Sequence, residues 1–175
     1  MSASLAERVI RRVGESPVAE AIGNAQQRVY GPLLAWARRS PLHTDAFGHS
    51  VHPPLTDVTL GCWLSASILD VVGGEGARRS ATVLTAAGLA ASVPTALAGA
   101  GDWTELADTE RRIGAVHSAA TDVATFLFLG SLVARLRGND MAGARFALAG
   151  NLVAAGAGFL GGHLALSRGT ADRGA

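Results

Sequence analysis

Lysine is absent from this 175-residue chain, so every basic side chain is an arginine. Acids nearly balance them, leaving a net charge of +1 and no global field to recruit nucleic acid. Charged residues make up only 17% of the sequence, below what a soluble domain carries. Aromatic residues are sparse, and the lone cysteine, Cys62, excludes an internal disulfide. Zinc and iron–sulfur sites built on paired cysteines are excluded with it, and Cys62 reads as a small buried hydrophobe. No secretory apolar stretch opens the chain, because Glu7, Arg8, Arg11 and Arg12 interrupt Leu5–Val13. Insertion into a membrane would therefore use internal helices as signals. No nucleophile motif of the Gly-x-Ser-x-Gly type occurs, and no recognisable triad spacing, so a hydrolase is disfavoured.

What the chain has is apolar length. Ser80 to Gly101 contains no charge and would span roughly 33 Å as a helix, enough for a hydrocarbon core. Three similar segments accompany it, giving expected spans at 55–73, 80–101, 113–134 and 146–167. A soluble helix of this length should show a polar face every 3.6 residues, and Ser80–Gly101 offers only Ser, Thr and Gly. The links are short: Gly74–Arg79, Asp102–Arg112, and the connection that begins at Arg135–Asp140. Short links make neighbours antiparallel. The expected fold class is thus all-α, an integral membrane four-helix up-down-up-down bundle in the cell membrane. Small residues recur every four positions at Gly88, Ser92, Ala96 and Ala100, and at Ala154, Gly158 and Gly162, a spacing that lets helices approach closely in lipid. Pro94 is expected to kink the second span.

Residues 1–45 differ. Leu5, Val9, Ile10 and Val13 share a helical face, Ser16-Pro17 reads as a cap and first-turn proline, and Gly31-Pro32 should bend or break the next helix. These N-terminal helices are expected to be amphipathic and to lie on the membrane surface or cap the bundle. Residues 46–167 form the membrane domain, and 168–175 read as a disordered tail.

Ionisable residues inside spans are costly and usually functional, and here their distribution is uneven. With four antiparallel spans, the entry of an odd-numbered helix and the exit of an even-numbered one share a membrane face. His49, His52 and Asp57 then join Asp102, Trp103, His117 and His163 on one side. Asp70 and the arginine-rich links fall on the other. Trp103 suits an interface anchor. His43 reads as a solvated loop residue, and Pro53-Pro54 should keep the backbone before them extended. Gly156 shares a face with His163, and Gly158, Gly161 and Gly162 strip side chains from the same end, permitting close packing by a backbone or a flat ligand. Haem b with imidazole axial ligands, or a transition metal held by His49, His52, His117 and His163, would suit such a cluster. Asp57, Asp102 and Asp122 would orient or satisfy those imidazoles.

The run Gly48-His49-Ser50-Val51-His52-Pro53-Pro54-Leu55-Thr56-Asp57-Val58 resembles the opening of domain-of-unknown-function family 2231. Leu69-Asp70, the stretch Thr95 to Trp103, Arg112-Ile113-Gly114-Ala115-Val116-His117 and Leu160-Gly161-Gly162-His163-Leu164 extend the resemblance over roughly residues 25–167. Two details depart from the pattern: Ser50-Val51 between the first histidines, and Asp122 where Asn is usual. The resemblance implies a four-helix membrane domain, sometimes fused to a Rieske-type domain, and hence an association with electron transfer.

The leading expectation is a multi-pass membrane component with a haem or metal, acting beside an iron–sulfur (Rieske-type) or other redox protein. Its environment is the lipid bilayer, and a homo-oligomer is a further candidate state. The alternative is a structural membrane module without cofactor that anchors or scaffolds a partner protein. A proton-conducting unit is disfavoured because the second span offers no ionisable group. Enzymatic activity stays open, with the absence of a catalytic motif against it.

Overall fold

A computed structural model describes residues 4–44 and 46–172. Every regular element among them is a helix. The order is α1 (Leu5–Gly14), α2 (Pro17–Ala37), α3 (His52–Val72), a 3-10 turn (Glu75–Ala77), α4 (Arg78–Trp103), α5 (Asp108–Leu136) and α6 (Asp140–Gly162), which passes into a π-helical turn at His163–Ser167. The helices α3 to α6 are long and apolar enough to cross a membrane. α3 begins at His52, with Pro53 and Pro54 in its first turn, so the extended backbone expected there is replaced by helix. Proline is tolerated at that place because first-turn N–H groups have no intrahelical acceptor. Neither Pro32 nor Pro94 ends its helix.

By its contacts the chain divides into two compact units, 1–51 with 97–119 and 157–175, and 52–96 with 120–156. In the first unit, Ser4 and Glu7 form a reciprocal capping box on α1, and Ser16 caps α2. Ile10 and Val13 pack against a buried cluster of Ile113, Leu160 and Leu164. Leu5 and Val9 stay exposed, so only half of the expected α1 face is used. The start of α5 fastens both N-terminal helices. Arg112 donates to the Gly14 carbonyl (3.2 Å) and to Glu20 (3.1 Å), and Arg111 donates twice to Asn24 Oδ1. Gln26 Nε2 reaches Ser118 Oγ at 2.8 Å. The tail expected to be disordered is held as far as Asp172: Ser50 N–H donates to the Ala171 carbonyl, and Arg168 pairs with Glu110. Residues 173–175 lie outside the described residues.

In the second unit, the Trp63 indole of α3 stacks on the Phe128 ring of α5, with centroids 4.0 Å apart and planes 9° from parallel. Two glycines make room for that pair. A Cβ on Gly88 would run into Trp63, and one on Gly150 would come within 2.7 Å of Phe128. Asn151, midway along α6, donates to Ser67 Oγ (2.7 Å) and to the Trp63 carbonyl (3.3 Å). These bonds tie α6 to α3.

Candidate functional site

Three of the predicted histidines share one chemical posture. His49 Nδ1 lies 2.9 Å from the Ser50 carbonyl, His52 Nδ1 2.9 Å from the Thr95 carbonyl, and His117 Nδ1 2.8 Å from the Ala157 carbonyl. A carbonyl only accepts, so each Nδ1 carries the proton and the lone pair of the neutral ring sits on Nε2. His52 does this from the first residue of α3 and so ties that helix to α4 within the second unit. His117 does it from α5 towards α6 within the first unit. Its ring lies over Gly161, where a Cβ would come within 2.8 Å of the imidazole. His49 is exposed and forms an isolated antiparallel bridge with Asp172. His163 is half-buried and opens the π-helical turn.

Two described residues of the segment before α3, His43 and Ser50, are engaged. His43, expected to be solvated, has a side chain only 6% exposed and pairs with Glu105 at 3.2 Å. Gly101 leaves the space its ring occupies, since a Cβ there would meet His43 at 3.0 Å. Ser50 Oγ donates to the Asp102 carboxylate. Thus Asp102, expected to orient an imidazole, accepts a serine hydroxyl. Asp57 is exposed and its carboxylate meets no partner among the described residues.

Trp103, expected to anchor at the interface, is 8% exposed. Its indole packs towards Gly114, and the Arg111 guanidinium lies 5.2 Å from the ring centroid. A Cβ on Gly114 would strike Leu106 at 2.6 Å and would only touch the indole, at 3.4 Å. Of the four glycines expected to give close packing, Gly161 does so against His117. A Cβ on Gly156, Gly158 or Gly162 would meet nothing within 4 Å. An open cleft of about 450 Å³ in the first unit is lined by Gln27, Gly31, Leu34, Arg38, Arg39 and Trp103 among others, and no histidine reaches it.

These positions bear on what the residues could hold. Among the described residues, no three His, Cys, Asp or Glu side chains come together as a metal-binding group. The His117 ring also occupies the space over Gly161 that a flat ligand would need.

A polar centre absent from the sequence expectations lies in the second unit. The Arg135 side chain is fully buried and makes a bidentate pair with Asp70, at 2.9 and 2.5 Å. Arg135 Nε also donates to Ser131 Oγ (3.2 Å), whose hydroxyl donates to the Gly143 carbonyl (2.7 Å). Gly143 is required there, because a Cβ would strike the Arg135 side chain at 2.5 Å. The available signal was a lone acid in the last turn of one span and a lone arginine in the last turn of another. No family model, curated protein or solved structure matches the chain.

Proposed function

We propose that the chain is a multi-pass protein of the cell membrane that works as a structural module, anchoring or scaffolding a partner protein. Its spans form an up-down-up-down bundle. The observation that carries this reading is the outward apolar surface of its long helices. Only 17% to 33% of the apolar stretch of each is buried within the chain. Val72, Phe126 and Leu152 are each about 70% exposed, an arrangement water would penalise and lipid tolerates. On α2, the exposed Tyr30, Leu33 and Trp36 beside Arg38 and Arg39 give an amphipathic face for the lipid interface. The histidines then fasten the spans, each Nδ1 tying a ring to a carbonyl. Membership of family 2231 belongs to the same reading, and with it a Rieske-type or other redox protein as the anchored partner.

Membrane fractionation tests this. The expressed chain should stay with membranes through an alkaline carbonate wash and leave them in mild detergent. Release by carbonate alone would contradict the proposal.

A second reading keeps a haem b or a transition metal on His49, His52, His117 and His163. The carbonyl bonds at Nδ1 favour it, since ligating histidines are commonly oriented by a second hydrogen bond of this kind. An oxidised-minus-reduced spectrum and metal analysis of the detergent-purified chain decide between the two. A folded, colourless, metal-free preparation favours the structural module, and a haem band or stoichiometric metal favours the second reading.

A further inference from the structure

α5 carries a carboxylate where a bilayer tolerates one least. Asp122 stands at the midpoint of this 29-residue helix, with about 20 Å of helix on either side. Its side chain is exposed, and among the described residues it meets no hydrogen-bond or ion-pair partner. Phe126, Leu129 and Val133 follow at helical spacing on the same face and are 71%, 47% and 38% exposed. The acid therefore projects from an outward apolar stripe. Intramembrane acids ordinarily face a bundle interior or a water-filled cavity, or find a partner.

The hydroxyls nearest along the helix are engaged: Thr125 donates to the Thr121 carbonyl, and Ser118 donates to the Ala115 carbonyl. The described arginines in the terminal turns of α5 are engaged. Arg112 is held by Glu20 and Arg135 by Asp70. α3 has no arginine, and the arginines of α4 and α6 sit in their first two turns. A second copy docked on the same stripe would set carboxyl against carboxyl. Charge complementarity instead calls for a different chain.

We infer that the Asp122, Phe126 and Leu129 face of α5 docks a transmembrane helix of another protein that carries a basic side chain at mid-span. This rests on the membrane reading above and names the kind of partner such a module would anchor.

The test uses the full chain, dye-labelled at its N-terminus, in phosphatidylcholine vesicles. Acceptor-labelled polyleucine helices of about 20 residues, with either a central Arg or a central Leu, serve as probes. The Arg helix should associate about tenfold more tightly than the Leu helix. Asp122→Leu should abolish the difference, and Asp122→Asn should keep a reduced one. Because Asp122 is exposed, both variants should keep the parent unfolding midpoint in detergent, which separates lost docking from lost folding. Equal energy transfer from both helices would overturn the inference, as would Asp122-dependent self-association without preference for the Arg helix. Flotation of the same vesicles separates the two claims. A chain that floats without preference overturns the docking alone, and a chain that fails to float overturns the membrane reading and the docking together.

Discussion

In the first unit, histidines, a serine and glutamine join loops and helices through backbone carbonyls and neighbouring side chains. His117 bonds Ala157, Ser50 bonds Asp102 and Ala171, and Gln26 bonds Ser118. The second unit has bonds of the same kind, from His52 to Thr95 and from Asn151 to Ser67 and Trp63, and adds to them a fully buried arginine on a carboxylate and a stacked pair of aromatic rings. The units thus differ by one buried ion pair and one ring stack. Single bonds to carbonyls are each weak, averaging about 0.6 kcal/mol between membrane helices. A buried ion pair contributes little net stability compared with an apolar pair of the same shape, but it is costly to break, because the surviving charge has nowhere to go. One unit should yield gradually to substitution, and the other abruptly.

The largest expected effect is at Arg135. Arg135→Leu leaves Asp70 buried without its partner and should cost about 3–5 kcal/mol, read as a shift of the unfolding midpoint in a denaturant titration of detergent-solubilised protein. Replacing both residues by leucine should recover most of that loss. If the single and double variants were equally damaged, the second unit would not depend on charge pairing, and the contrast between the units would fall.

That pairing also marks the limit of what the sequence reveals. The four long apolar helices are legible because an apolar run longer than a bilayer is thick has few alternative fates. Their ends are less so. The prolines after His52 read as breakers, yet they occupy a first turn, where their missing N–H groups cost nothing. Asp70 and Arg135 are 65 residues apart, and only packing brings them together. His43 reads as a solvated loop residue because the glycine that makes room for it, Gly101, lies 58 positions away at the end of α4. At Gly161 the need for close approach was visible in the residue type, while the occupant of the space, the His117 ring, was not.

A smaller effect is expected at His117. His117→Ala removes one carbonyl bond and the packing over Gly161, and should cost about 1 kcal/mol. Gly161→Ala pushes a methyl group against the same ring and should destabilise comparably. In the double variant the methyl group enters the space the ring has left, so the combined loss should fall short of the sum, as a double-mutant cycle would show. Strict additivity would mean that ring and glycine do not act on each other, which would break the account of the first unit.

The smallest effect should come from Gly156→Ala and Gly158→Ala. Each added methyl group meets nothing within 4 Å, and helical alanine is favoured over glycine by roughly 0.5–1 kcal/mol. Unfolding midpoints should stay level or rise slightly. A marked fall at either would mean that its side of α6 is covered by a second copy or a ligand.

The most direct test of the central claim is the accessibility of single cysteines to a membrane-impermeant maleimide in vesicles of defined orientation, in a Cys62→Ala background. Ala46→Cys and Ala107→Cys should label together in one orientation, and Glu75→Cys and Arg137→Cys together in the other. Labelling of all four from one side, or a split within either pair, would contradict a bundle of four membrane-spanning helices.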